Sequence, residues 1–284
     1  MSRIIFLVFM VSTMLYGTDL TLKTSHQVQS DELENIDINQ MTLWFSNNGL
    51  FTGPRELDFK SLEYPSSSNK TLIFSAGLNV CGKVDGEIRT AAAYYSSEFS
   101  PGSVMIDKSP APPGDSSRKI YKISKYDTDF SNWPIQLGAP ADANSGKPLF
   151  MGDQQVWFVF NDADREKHRN VNNTDPLTLE IQTLIWGFDM DGAMGNTIFL
   201  RYYLINKGSA VITDAHTGLF TDGDLGYAGD DYVGCDSTLA LGYYYNGQKV
   251  DKIYDKPPAF GFQLLKSPMA AGKEIGLTAF AGFA

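Results

Sequence analysis

Five carboxylates crowd the stretch Asp222-Gly-Asp-Leu-Gly-Tyr-Ala-Gly-Asp-Asp-Tyr-Val-Gly-Cys-Asp236: Asp222, Asp224, Asp230, Asp231 and Asp236. The glycines between them let a backbone turn tightly enough to aim several side chains at one centre. Unpaired, such groups repel one another. A hard cation relieves the repulsion, and Ca²⁺ takes roughly six to eight oxygen ligands from carboxylates and carbonyls. The segment is therefore expected to bind calcium through these five aspartates and to be stiffened by it. Its spacing departs from the EF-hand loop, because Gly226 stands where an oxygen ligand belongs and no glutamate closes the loop. The competing reading is a solvated acidic loop whose aspartates cap turns and accept from their own backbone. Asp189-Met-Asp-Gly-Ala-Met-Gly-Asn196 reads as a hairpin loop, and Asn161-Asp162-Ala-Asp164-Arg165 as a strand end with turn-forming aspartates.

Familiar catalytic patterns are absent. His26, His168 and His216 are scattered, and neither a Gly-x-Ser-x-Gly elbow nor a phosphate-binding Gly-x-x-x-x-Gly-Lys loop occurs. Glycoside hydrolysis needs no motif, only two carboxyl groups about 5 to 10 Å apart, so a hydrolase remains a rival reading for so acidic a chain. Trp133 beside Pro134, and Tyr243 to Tyr245, are candidates to stack on sugar rings, weighed against a place in the core or on a sheet face. Cys81 and Cys235 are the only cysteines. They are read either as one bridge or as two isolated thiols, and in both cases the core must supply the stability.

The elements that would position these groups are strands. Thr42–Ser46 runs into the turn Asn47-Asn48-Gly49, and 71–80 is followed by a tight hairpin at Val84-Asp85-Gly86-Glu87 that returns through Ile88 to Tyr95. Residues 97–149 are rich in Pro, Gly, Ser and Asp and read as a long surface excursion around a strand at 119–124. Strands are expected at 155–160, 177–188 and 197–206. In the second, Leu177, Leu179 and Ile181 alternate with Thr178, Glu180 and Gln182, one dry and one wetter face. In the third, Ile198, Leu200, Tyr202 and Leu204 oppose Phe199 and Ile205, as for a strand covered on both sides. A hairpin joining 239–245 to 249–253 through Asn246-Gly247, and closing strands at 260–265 and 275–283, complete the pattern. No sustained helical period appears. The fold class is all-β: a two-sheet β-sandwich, jelly-roll-like, with long surface loops.

A net charge of -10 and a pI near 4.7 repel nucleic-acid phosphates and anionic lipid surfaces. Arg3 followed by the apolar run from Ile4 to Leu15 has the layout of a secretory leader, too short for a membrane span and cleaved near Gly17. No later segment resembles a span. The organisation expected is a signal peptide at 1–17, an N-terminal arm at 18–40 and one domain at 41–284.

Several strings occur together and in order: Asn47-Asn-Gly; Phe74-Ser-Ala-Gly-Leu-Asn-Val-Cys-Gly-Lys-Val-Asp-Gly-Glu-Ile-Arg89; Gln155-Val-Trp-Phe-Val-Phe-Asn-Asp162; Gly195-Asn-Thr-Ile-Phe199 with Tyr203-Leu-Ile-Asn-Lys207; and Asp222 to Asp236 with Leu241-Gly-Tyr-Tyr-Tyr-Asn246. As a set they resemble the N-terminal region of large, mostly uncharacterised secreted proteins of the Bacteroidetes and Ignavibacteria type, many of which end in a type IX secretion sorting domain. The resemblance covers about residues 40 to 284 and implies an extracellular address and a β fold, with no activity attached. Cys81 stands where a small residue is expected, the region before Trp157 is reduced to Ala139–Met151, and the chain stops at Ala284 within an expected strand, as a fragment would. The function expected is a secreted or cell-surface module with a structural or adhesive role, calcium-stabilised, whose partner is an extracellular polymer or a cell-surface component. The alternatives are a secreted hydrolase and a carbohydrate-binding module acting on such a polymer.

Overall fold

Short β-branched and aromatic runs separated by turn residues must pair with one another to satisfy their backbones. A computed structural model describes residues 31–169, 171–270 and 272–282. The expected leader and most of the expected arm lie outside them. The first sheet comprises β1 (Leu33–Ile36), β2 (Thr42–Ser46), β3 (Leu50–Phe51), β4 (Leu62–Glu63), β5 (Thr71–Val84), β6 (Glu87–Ala92) and β12 (Ile212–Gly223). Its spine is β5, which pairs with β3, β4 and β6 and, separately, with β12. The β5–β6 turn takes φ of 53° at Asp85 and 87° at Gly86, the positive values a two-residue hairpin requires. β1 falls within the segment read as an arm, yet it pairs with β2 over its whole length and buries Ile36. The folded part thus begins before Met41.

The second sheet holds β7 (Ser100–Pro101), β8 (Tyr121–Ser124), β9 (Gln154–Asn161), β10 (Leu179–Gly187) and β11 (Ile198–Asn206), in the order β11-β10-β9-β7 with β8 also on β9. The two sheets form the sandwich. Between them lie Leu43, Phe45, Ile73 and Val80 from one side and Val156, Phe158, Phe160, Ile181 and Ile185 from the other. Phe45 stacks on Phe158 with ring centroids 5.4 Å apart.

The excursion at 97–149 runs over the surface around β8, with 105–108, 112–114 and 125–129 exposed, but it does more than decorate. It supplies Ile123, Trp133 and Ala139 to a second core over the outer face of β9 and β10, against Trp157, Val159 and Leu184. On the wetter face expected for β10, Gln182 stays partly exposed, but Glu180 is 2% exposed and accepts from Val104 N at 3.0 Å. β11 differs in the opposite sense. Expected to be covered on both sides, it is the last strand of its sheet, with Tyr203 53% exposed.

A third sheet follows, with β13 (Asp231–Asp236), β14 (Leu241–Asn246) and β15 (Ala259–Gln263) in that order. The partner of 241–246 is therefore the acidic segment 231–236, not 249–253, which forms no strand. There Asp251 is buried and accepts from Tyr227 N and Ile253 N, so that stretch is held as a loop. Residues 275–282 also form no strand, and a short ribbon of β16 (Met269–Ala270) and β17 (Lys273–Glu274) precedes them. The only α-helices among the described residues are two four-residue turns, α1 (Arg165–His168) and α2 (Gly192–Gly195), the latter inside the β10–β11 hairpin loop.

Candidate functional site

The five aspartates are spread over the junction between β12 and the third sheet. Asp222 closes β12, beside Tyr95; burial, then the Asp222 charge, pushes that phenol up to about 12. Asp230 accepts from Asn246 Nδ2 at 2.8 Å, and Asp236 caps the β13–β14 turn by accepting from Thr238 N and Leu239 N. Asp231 accepts from Leu225 N at 2.8 Å through Oδ2, while its buried Oδ1 has no partner. Among the described residues, no group of three or more His, Cys, Asp or Glu side chains is arranged to hold a metal ion.

Asp222, Asp224 and Asp231 nevertheless feel one another. Burial, followed by the charges of Asp222 and Asp231, raises the Asp224 carboxyl from 3.8 to about 6, against the pull of Lys60. Because the folded protein favours the neutral acid, this group costs no stability below about pH 4. The cost grows as pH rises towards 6 and is complete above it. Discounted for the partial exposure of Asp224, it is on the order of 1 kcal/mol at neutral pH. Asp224→Asn is expected to raise the melting temperature by about 2–4 °C at pH 7.5 and to leave it unchanged at pH 3.5, a difference that thermal melts at the two pH values would resolve.

The glycines of this segment serve a purpose other than turning. Of Gly223, Gly226, Gly229 and Gly234, Gly226 alone has a left-handed φ, +83°. At the other three a methyl group would fall on a tyrosine ring: Tyr244 over Gly223, Tyr227 over Gly229 and Tyr243 over Gly234. Tyr232 lies over Gly247 in the same way. These glycines let rings lie down on the backbone, a close-approach role that acidic spacing alone does not reveal.

The outcome is a tyrosine-faced sheet. Register puts Tyr232, Tyr245 and Ala259 in one row across the three strands and Gly234, Tyr243 and Gly261 in the next, all on one face. Tyr232 and Tyr245 have ring centroids 5.6 Å apart, and Tyr243 and Tyr245 6.0 Å. Tyr232 is 56% exposed and Tyr245 42%, with Tyr243 half-buried between its glycines. The opposite face carries Tyr244, Phe260 and Phe262, which pack against the sandwich core and so anchor the sheet. Tyr244 further fixes it through its hydroxyl, which lies 2.8 Å from Thr221 O on β12.

Rival sites are weaker. Trp133, a candidate for sugar stacking, is 3% exposed and donates through Nε1 to Pro140 O, so it belongs to the core. Thr174, His168 and Asp162 bring together the residue types of a hydrolytic relay, with His168 Nε2 3.1 Å from Thr174 Oγ1 and Nδ1 3.7 Å from Asp162. Thr174 already donates its one proton to Thr90 O, so the imidazole N–H donates to it and no base faces the hydroxyl. His168 and Asp162 are moreover fully buried. A cleft of about 320 Å³ between Pro110–Pro113 and α1 contains Asp31 and Asp164. Both are engaged, Asp164 capping α1 and Asp31 accepting from Asn48 Nδ2 at 2.6 Å. Cys81 and Cys235 are free thiols.

The chain matches no family model, no curated protein and no solved structure. No helix among the described residues is long and apolar enough to cross a membrane.

Proposed function

We propose that this chain is a secreted or cell-surface β-sandwich module with an adhesive role, gripping neutral polysaccharide on the tyrosine face of β13–β15. The observation that carries the reading is the group of Tyr232, Tyr245 and Tyr243 on one face, with Tyr232 and Tyr243 laid over glycines and Tyr232 and Tyr245 open to solvent. Rings held flat by the backbone offer apolar faces already in place, so a sugar ring stacks without ordering a mobile side chain. A net charge of -10, to which Asp230, Asp231 and Asp236 in and beside this sheet contribute, disfavours acidic glycans. Export through the leader expected at residues 1–17, and an address like that of the type IX secretion proteins the sequence resembles, belong to the same proposal.

Covering one ring face contributes on the order of 1 kcal/mol, about fivefold in affinity. In depletion assays on insoluble glucan and chitin, and in gels containing soluble neutral polysaccharide, the protein should be retained. Tyr232→Ala and Tyr243→Ala should each weaken retention about fivefold with melting temperature unchanged. No retention on any polymer, or retention indifferent to both substitutions, would sink the reading. Release of new reducing ends would favour the secreted hydrolase.

Calcium enters only as a stabilising ion. It would have to draw together Asp222, Asp224 and Asp231, since Asp230 and Asp236 already accept from Asn246 and from the 236–239 turn. In the melting experiment at pH 7.5, millimolar Ca²⁺ should then stabilise the wild type and not Asp224→Asn. Superimposable wild-type curves in Ca²⁺ and in chelator would remove calcium from the proposal.

A further inference from the structure

β11 pairs with β10 along one edge and, among the described residues, with no strand along the other. A nine-residue edge of this kind presents a row of unmatched N–H and C=O groups. Proteins usually blunt such edges with proline, a bulge or an inward-pointing charge. β11 has none of these: its register with β10 runs unbroken from Ile198 to Asn206, and Ile198, Leu200 and Tyr202 pack on the core, with Leu204 on the same face of the strand.

The burial along this edge is incomplete in a regular way. Ile181, Thr183 and Ile185 of β10 are fully buried, whereas their direct partners Leu204, Tyr202 and Leu200 are only partly covered, Leu204 being 36% exposed. The core therefore thins along β11: Leu200 and Tyr202 still pack on it, while Leu204 is left at the surface.

The outer face of β11 adds a charge. Arg201 lies over Trp186 at 5.2 Å and over Tyr203 at 5.9 Å, and Trp186 stacks on Phe199 at 5.3 Å. Its guanidinium has one polar side-chain contact, the Tyr203 hydroxyl at 3.5 Å, and no carboxylate pairs with it among the described residues. In so acidic a chain, a cation without an acidic partner, held between rings on an open edge, is itself a feature that asks for an anion.

We propose that β11 is a strand-accepting edge. It takes an extended segment of another polypeptide in antiparallel register, apolar at alternate positions where it continues the core and acidic at the position opposite Arg201. Backbone pairing would supply affinity and the alternating side chains specificity. Charge complementarity favours a foreign segment over a second copy: two copies each bring a net charge of -10 and leave both guanidiniums without a carboxylate.

The probe is a synthetic nine-residue peptide with valine at alternate positions, threonine between them and glutamate at the position that pairs with Arg201, read by fluorescence anisotropy against the purified chain. Binding is expected, with protection of β11 amides in hydrogen exchange. Arg201→Glu should weaken it about tenfold and restore it for the peptide in which lysine replaces glutamate. Failure to bind, binding that leaves β11 amides unprotected, or indifference to the charge reversal would overturn the proposal. Sedimentation showing a dimer that Arg201→Glu dissociates would also overturn it, by assigning the edge to a second copy.

Discussion

Glu98→Ala is expected to lower the melting temperature by about 10 °C or more. Glu98 is fully buried, and its two oxygens accept from Ala92 N, Val171 N, Asn172 N and Asn172 Nδ2 at 2.8–3.0 Å. One carboxylate thus ties the loop after α1 to β6, across more than 70 residues of chain. Each hydrogen bond to a charged group contributes about 1.5–3 kcal/mol, and removing the acceptor leaves its donors to find water at the surface or go unpaired. Allowing for rehydration of the outer donors, the net loss is about 4 kcal/mol, and for a domain of this size each kcal/mol moves the midpoint by about 2–4 °C. Glu98→Gln tests the polarity: its amide would point a donor at other donors, so it should recover little of the loss. A melting temperature within about 2 °C of wild type for Glu98→Ala would show that the loop is not held this way.

Trp133→Ala should cost about 3–5 kcal/mol, the range for deleting a large buried aromatic. Trp133 packs with Ile123 and Ala139 against Trp157, Val159 and Leu184. The 97–149 segment therefore acts as the lid of a second core. Denaturant unfolding should show the loss, and limited proteolysis should cut within 97–149 before it reaches β5 or β9. If 97–149 were decoration, the same substitution would fall within about 0.5 kcal/mol of wild type, as surface changes do.

Much of the sandwich is legible in the chain. The strands expected at 42–46, 155–160 and 197–206 coincide with β2, β9 and β11 to within a residue or two, because alternating or continuous apolar runs must bury a face wherever they occur. The turns Asn47-Asn48-Gly49 and Asp85-Gly86 are where their residue types place them, since left-handed φ is cheap for few residues. β12 was not foreseen. Its Ile-Thr-Asp-Ala-His-Thr-Gly-Leu-Phe-Thr-Asp-Gly alternates poorly, and it is a strand because β5 offers it a long ladder, unbroken from His216 to Asp222. The swapped hairpin partner of β14 has a similar origin, as Asp231 to Asp236 is polar and only its pairing makes it extended.

By itself, then, the sequence determined that strands form, where the tightest turns fall, and that the chain carries a net charge of -10. The tertiary structure decided what covers each face, which tyrosines stay in the open and what the glycines and buried acids are for. The reason is physical: a period of two says that a strand has a face to hide, not what hides it. Glu98 with Asn172, Trp133 with Trp157 and Tyr243 with Gly234 are contacts made only once distant segments close on one another, and no local pattern encodes them.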